Sequence, residues 1–406
     1  MLLTESKEVV IVDYLRTPIS RSRPTQPERD VFHEIPADIL LSKVIKEIIS
    51  RAKFEPSDID EVITGCANQV KENFLYGGRH PIFLGELAVT TAAMGVDRQC
   101  GSSMTSVHIG AMEIMTGNSE IVLACGMEHM TRIPRGTDLT LRHTELGDKK
   151  RFPNHAIYDL TTGYSMLQTA QQLWEQNPDI TREDMDLWSL NSHNRAIKAR
   201  DKGFFDREIL PIEGTLPDGS KKLIKYDQSM RGGSTLETMQ NLPVVSKGIT
   251  KEPQITAGNS SPLNAGAGCC VLMSGNRAED LGIKPMVKIR SMGWAGVNPG
   301  VMGQGPVPAS KKALNQAGLN VDDIDFWEIN EAFAIVPLYA MKILNIPPEK
   351  VNVKGGAIAL GHPLGMTGVR LVGTLARILN SEGGKIGLAT ACVGGGQGVA
   401  TIIEKI

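Results

Sequence analysis

The feature that most restricts the fold of this chain is an internal repeat. EPSDIDEVITGC (55–66) has a counterpart in LNVDDIDFWEIN (319–330), and each follows a stretch with helical spacing. After the first copy come a corner at Cys100, a helix pattern through Met104, Val107, Ala111 and Ile114, and the strand-like SEIVLAC (119–125). After the second come a corner at His362, a helix pattern through Met366, Val369, Val372, Leu375 and Leu379, and the strand-like KIGLATAC (385–392). The period is too long for a solenoid, so the repeat marks two similar halves rather than stacked units. Short apolar strands alternating with amphipathic helices predict an α/β fold. EVVIVD (8–13) reads as a further buried strand. The pairs Leu40/Leu41, Val44/Ile45 and Ile48/Ile49 predict a helix over 37–52 with one apolar face.

The stretch 131–249 breaks this rhythm. It is rich in charge, Pro, Gly, Thr and Asn, and helical spacing returns near 164–176 and 181–200. Thr181 precedes Asp184 by one helical turn, which is a capping signal. The expected organisation is an N-terminal half formed by 1–130 with about 250–282, an insertion over 131–249 covering one face of it, and a C-terminal half over 283–406.

Composition removes several classes of function. The chain has 406 residues, 41% apolar and 22% charged, and a formal net charge of −2. That balance gives no footprint for nucleic acid. No apolar run reaches the ~18 residues of a membrane helix. The six cysteines form no C-x-x-C pair, which argues against a structural metal site and against a disulfide framework. The N-terminal residues lack the pattern of a secretory or organellar leader, and a reducing cytoplasm is the expected compartment.

Four positions carry chemistry. Cys100, in VDRQCGSSM, sits between an extended segment and a helix start, where the helix dipole and free N–H groups favour thiolate. His362, in GGAIALGHPLGMTG, occupies the equivalent corner of the second half. If the halves bring these corners together, a cysteine meets a base, the arrangement of an activated nucleophile. Cys392, in TACVGGGQG, runs from a strand into glycines that let backbone N–H groups face a ligand oxygen. The spacing there is not that of a dinucleotide loop, and VATIIEK beyond it reads as a strand. Asn330 and Glu331 open NEAFA after a strand; an amide there could orient water or polarise a carbonyl, or simply cap a helix.

In this order, QCGSSM, NEAFA, GGAIALGHPLG and CVGGGQG resemble the signature set of the thiolases, and the likeness runs from RTP (16–18) to the last strand. The C-terminal half is most similar to degradative 3-ketoacyl-CoA thiolases, as are EHMTRIP (128–134) and the GHPLG form of the histidine motif. The resemblance implies a five-layered αβαβα fold of two repeated halves with an inserted loop domain over the CoA site. It implies ping-pong cleavage of a 3-ketoacyl-CoA by CoA, reversible as Claisen condensation. Cys100 would be the nucleophile and His362 its base. Asn330 would hold a water that, with His362, receives the enolate oxygen, and Cys392 would move protons. Backbone N–H groups of Cys100 and Gly394 would hold the tetrahedral oxyanion. Arg231, in RGGSTLETM, and Ser261, in AGNSSPLNAGAG, match the family's CoA-binding positions; Met302 and Phe333 match its acyl pocket. CoA enters as substrate, with no cofactor or metal. A homodimer or homotetramer follows from the family, and a hydratase/dehydrogenase subunit is a partner of some members.

The chain departs from the family at Ser20, where glycine is common, and at Ala265, where Asp is common, and Pro262 replaces a glycine of short-chain members. Thr161 and Thr162 replace a His-Met pair of short-chain members. These changes bear on acyl specificity and leave the chemistry in place. Three rival readings follow: an acetoacetyl-CoA thiolase, a decarboxylating condensing enzyme, and a non-catalytic acyl-CoA-binding subunit. Cys392 argues against the second and the intact motif set against the third.

Overall fold

The strands at the centre of this chain are buried along their whole length, not on alternate residues, so both faces are covered. The computed structural model describes residues 6–134, 150, 160–248 and 250–406; parts of the expected insertion, its end at 249 included, fall outside them. In it, all of Ile121–His129 (β4) and all of Asn264–Ser274 (β5) are buried. Together with Val9–Arg16 (β1), Glu61–Gly65 (β2) and Ala92–Val96 (β3) they form one half-sheet in the order β3-β2-β4-β5-β1. The second half uses Val287–Gly296 (β6), Phe326–Ile329 (β7), Ile386–Val393 (β8) and Gln397–Glu404 (β9), in the order β7-β8-β9-β6.

The pairings repeat as the sequence does. β2 lies parallel to β3 and β4, and β7 lies parallel to β8. β4 and β5 are antiparallel neighbours, as are β8 and β9. The place of β3 is taken in the second half by a single parallel bridge, Trp327 to Val351. Equivalent strands β1 and β6 meet antiparallel through Val10–Lys288 and Ile11–Val287, which is the pairing a two-fold relation between the halves demands.

Helices complete five layers. α1 (Ala37–Arg51) covers the outer face of the first half-sheet with Leu40, Leu41, Val44, Ile45 and Ile48 buried, as its spacing predicts. α5 (Pro306–Ala317) covers the outer face of the second. Between the sheets lie α2 (Ser102–Thr116) and α7 (Thr367–Glu382), packed against each other. Their Met104, Val107, Val369 and Val372 share a core with Ile63, Val122 and Leu272 from one sheet and Ala389, Ala391 and Val399 from the other. Truncating a side chain there, for example Leu375→Ala, would cost about 2–5 kcal/mol.

From the inserted stretch, α3 (Met166–Glu175) and α4 (Arg182–Asp201) fall where helical spacing predicts them. Thr181 caps α4: its hydroxyl accepts from the Asp184 N–H at 3.1 Å, and the Asp184 carboxylate accepts from the Thr181 N–H at 2.8 Å. Two buried anchors fasten this region. Arg16 on β1 pairs with Glu208 and Asp227, all three within the core. Glu331 receives hydrogen bonds from Trp188 Nε1 and Ser192 Oγ on α4, at 3.0 and 2.7 Å. Asn330 and Glu331 are therefore not a helix cap, since the next helix, α6 (Ile335–Leu344), starts later and Ala334 precedes it.

Candidate active site

The two middle-layer helices begin at the same place. The Val369 N–H at the start of α7 donates to Ser103 Oγ at the start of α2, at 3.1 Å. The corners that precede these helices are thereby neighbours, as the repeat requires. Ahead of α2, Cys100 occupies a single 3₁₀ turn, Gln99–Gly101. Gln99 holds φ at +45°, a left-handed conformation that is strained for a residue with a side chain. Its N–H donates to Asp97 Oδ1 at 2.7 Å, and Ser102 Oγ donates to its carbonyl at 2.6 Å, so the turn is fixed from both sides.

His362 lies before α7 behind Gly361, whose φ of +118° and crowding by Ile19 and Asn264 admit only glycine. The His362 N–H donates to Asn264 Oδ1 at 2.7 Å. Its Nδ1 is 2.7 Å from Thr367 Oγ1 and its Nε2 is 3.4 Å from Asn330 Nδ2. Cys100 and His362 retain 6% and 4% exposure and both open on one cavity, whereas Asn330 and Cys392 have none. Burial first, then Cys100, pushes the Cys392 thiol well above its ordinary range. It is a protonated thiol at neutral pH.

The cavity has a volume of about 250 Å³. Gln99, Cys100, His362 and Gly394 line it together with the apolar side chains of Met130, Met166, Leu167, Leu263, Met302, Phe333 and Leu364. Ser261 and Pro262 also line it, and the Ser261 hydroxyl donates to the Ala332 carbonyl at 3.1 Å. Cys100, His362, Gly394, Ser261, Met302 and Phe333 are thus gathered at one cavity. Arg231 is not among its lining residues. It borders a second cavity of about 130 Å³ with Arg21, His193, Ser229 and Thr238, and the two cavities share Ser260 and Pro262. Burial, then Arg231, Arg23 and Arg29, push Arg21 down to about 10. Burial and then Arg231 push His193 down to about 4. That crowding of cations suits an anionic ligand.

Sequence reasoning did not single out Met130, Met166, Leu167 or Leu364 as cavity residues. Met130 and Leu364 lie inside motifs already quoted, EHMTRIP and GHPLG, and adjacency to them is the signal that could have found them. Met166 and Leu167 carry no such signal, because only the fold brings the start of α3 to Cys100. Thr367 carries no periodic signal either, since it follows His362 across a turn, at the first residue of α7. Among the departures, Pro262 borders both cavities, Thr162 is not among the residues described as lining either, and the side chain of Thr161 lies outside the described residues. Ser20 and Ala265 face each other as a cross-strand pair, so two departures from the family occupy one site.

The thiolase N-terminal domain matches residues 9–276 and the thiolase C-terminal domain matches residues 283–405. This chain belongs to the thiolase family. It is 42% identical over 405 residues to the 3-ketoacyl-CoA thiolase of Marinobacter nauticus, covering 98% of this chain and 99% of the relative. Identity to the 3-ketoacyl-CoA thiolase of Alcanivorax borkumensis is also 42%, with the same coverage. Among solved structures, human mitochondrial 3-ketoacyl-CoA thiolase superposes with a TM-score of 0.85 at 32% identity, covering 100% of both chains. The acetyl-CoA acetyltransferase of Bacillus anthracis also scores 0.85, at 33% identity, covering 99% of this thiolase and 100% of that chain. The human enzyme solved in complex with CoA gives 0.85 at 33% identity and 98% coverage of both. Strand order, paired middle helices and outer helices of this thiolase form the five-layered αβαβα arrangement that the motif resemblance implies.

Proposed function

We propose that this thiolase cleaves 3-ketoacyl-CoA thioesters with CoA, releasing acetyl-CoA and a shortened acyl-CoA, as in fatty acid β-oxidation. The observation that carries the degradative reading is the apolar cavity behind Cys100, whose Met130, Met166, Leu167, Met302 and Phe333 lining suits an acyl chain longer than acetyl. The full-length likeness to 3-ketoacyl-CoA thiolases supports the same substrate class.

In this reading His362 Nε2 takes the Cys100 proton and the thiolate attacks the keto carbonyl. The bond between the α and β carbons breaks, leaving an acyl group on Cys100 and the enolate of acetyl-CoA. The enolate oxygen is received by His362 and a water held by Asn330, and Cys392 protonates the carbon. Asn330 suits that task because its Oδ1 is buried without a hydrogen-bond partner among the described residues. Cys392 suits the acid role because burial keeps it protonated. Acylation of Cys100 removes the second cause of that shift, which favours the Cys392 thiolate left once the carbon is protonated, and that thiolate then takes the proton of incoming CoA. The CoA sulfur then attacks the acyl group, and the N–H groups of Cys100 and Gly394 hold the oxyanion; losing one such donor typically costs about 10²–10³ in rate.

The Arg21, Arg23 and Arg231 cluster would take the CoA phosphates, with Ser261 and Pro262 along the path between the two cavities. The inserted stretch would then be a loop domain over that path. A homodimer or homotetramer is the working assembly: Phe74, Tyr76, Phe83 and Val89 are exposed beside β3, an edge strand. Six buried cysteines, none in a disulfide, support a reducing, cytoplasmic setting. No helix of the described residues is long and apolar enough to cross a membrane.

The deciding experiment assays CoA-dependent thiolysis of acetoacetyl-CoA and a long-chain 3-ketoacyl-CoA side by side. The expected result is a higher kcat/KM for the long chain. Activity confined to acetoacetyl-CoA would make it a C4 enzyme, and cleavage of neither by folded protein would overturn the assignment.

A further inference from the structure

Glu128 lies near the end of β4, fully buried, and forms no salt bridge among the described residues. Of the other fully buried acids, Glu208, Glu328 and Asp186 each face an arginine, Arg16, Arg370 and Arg182, whereas Asp30 and Glu331 are held, like Glu128, by hydrogen bonds. A buried carboxylate without a cation is costly unless hydrogen bonds satisfy it. Here one oxygen, Oε2, accepts from two backbone N–H groups, Ala67 and Gly365, each at 3.0 Å. Asn73 Nδ2, at 3.4 Å, and Cys66 Sγ, at 3.8 Å, approach the other oxygen.

The two clamped N–H groups belong to loops of different halves. Ala67 follows β2 in the first half; Gly365 belongs to GHPLG in the second. Ala67 and Leu364 pack with Cys100 and Met130 in one small apolar cluster, so both loops reach the nucleophile's surroundings. Only Pro363 and Leu364 separate His362 from Gly365, and proline fixes its own φ, so the link is stiff. A side chain at Gly365 would run into the Met127 carbonyl and Cys66, which holds the loop at its close approach to β4.

We propose that Glu128 is a positioning residue: its carboxyl group clamps the histidine loop to the loop after β2 and so fixes where His362 sits relative to Cys100. This inference rests on the reading of Cys100 and His362 as nucleophile and base. Displacements of about 1 Å at such a pair cost on the order of 10²-fold in rate. Burial pushes the Glu128 carboxyl up to about 7, so the neutral acid is well populated at neutral pH. A neutral acid and an amide offer the same carbonyl oxygen to two N–H groups. Glutamine should therefore replace it, and aspartate, one methylene shorter, should not.

The test uses full-length Glu128→Gln and Glu128→Asp, with two readouts: steady-state thiolysis and the pH profile of Cys100 alkylation by iodoacetamide. Expected for Glu128→Asp is a kcat lower by about 10²-fold, a nearly unchanged KM for CoA, and an alkylation midpoint moved to higher pH. Glu128→Gln should keep a kcat close to the parent's and the parent's alkylation profile. The proposal is overturned if Glu128→Asp matches the parent, if it loses kcat with an unchanged alkylation profile, or if Glu128→Gln loses as much as Glu128→Asp. Should the aspartate variant not fold, the glutamine variant decides alone: parental behaviour supports the clamp and loss of it overturns it. A parent without thiolysis would sink the functional reading instead, and the alkylation profiles would still decide the clamp.

Discussion

The hydroxyl of Thr367 stands 2.7 Å from Nδ1 of His362 and 2.8 Å from the carbonyl oxygen of Pro363, to which it donates its one hydrogen. Its oxygen therefore accepts from Nδ1–H, and the neutral ring is left with Nε2 unprotonated. That is the tautomer a base for the Cys100 thiol requires.

Removing the hydroxyl should disturb the base more than the fold. Thr367→Val removes the acceptor that faces Nδ1–H, a cost of about 1–3 kcal/mol. Carried into the transition state, that is about 10–100-fold in kcat. Thr367→Ser should retain most of the activity. The check is the pH–rate profile of both variants beside their thermal midpoints; equal loss in the serine variant would contradict the tautomer argument.

Much of the frame was legible because a repeat fixes topology more strongly than any single segment does. Strand, corner, helix and strand recur around Cys100 and His362, and the structure turns that recurrence into two like half-sheets with β1 and β6 meeting antiparallel. Local patterns marked element boundaries less well. EVVIVD (8–13) becomes Val9–Arg16, and SEIVLAC (119–125) becomes Ile121–His129, because strands buried on both faces carry no alternation to show where they end. The same limit applied to the site. Cys100 and His362 could be related by the repeat, whereas Met166 and Leu167 reach the cavity from α3, whose spacing shows that it is a helix but not where it docks.

In the proposed mechanism Cys392 moves a proton in both half-reactions. Cys392→Ala should abolish turnover, with a loss of at least the ~10²–10⁴-fold expected for a missing general acid–base. Cys100 should remain open to alkylation, because its own turn and the helix behind it are untouched. Mass spectrometry of alkylated protein checks this directly; a Cys100 that no longer reacts would assign Cys392 to the activation of the nucleophile.

Glu331 should matter to stability out of proportion to its size. Its carboxylate accepts from Trp188, Ser192, Asn352 Nδ2 at 2.8 Å and the Ile358 N–H at 3.1 Å, joining α4 to the second half. Glu331→Ala strands four buried donors, each worth about 1–3 kcal/mol when unsatisfied, so the loss should exceed ~3 kcal/mol. A urea unfolding midpoint within error of the parent's would refute this.

The arginine cluster predicts a split between binding and chemistry. Arg231→Ala should raise KM for CoA roughly tenfold and leave kcat near the parent's, the signature of lost uniform binding. A fall in kcat at unchanged KM would place Arg231 in the reaction itself.

Acid should destabilise the protein through a histidine that does not line the cavity. Burial first, then Arg98, lowers His108 from 6.5 to about 3, and its Nε2 is hydrogen-bonded to Thr401 Oγ1 at 2.8 Å. Below pH 6.5 the unfolded chain takes up a proton that the folded one refuses. The unfolded state then binds more protons, so stability falls as pH falls from 6.5 toward 3 and is flat above 6.5. Between pH 7 and pH 5 this group alone removes about 2 kcal/mol. Buried acids with raised values, Glu128 at about 7 and Glu328 at about 8, contribute the opposite slope, so the comparison must be differential. His108→Gln carries no titrating ring. Measured by chemical unfolding at both pH values, it should lose less stability than the parent by about that amount, and equal losses would show that His108 is free to protonate in the folded state.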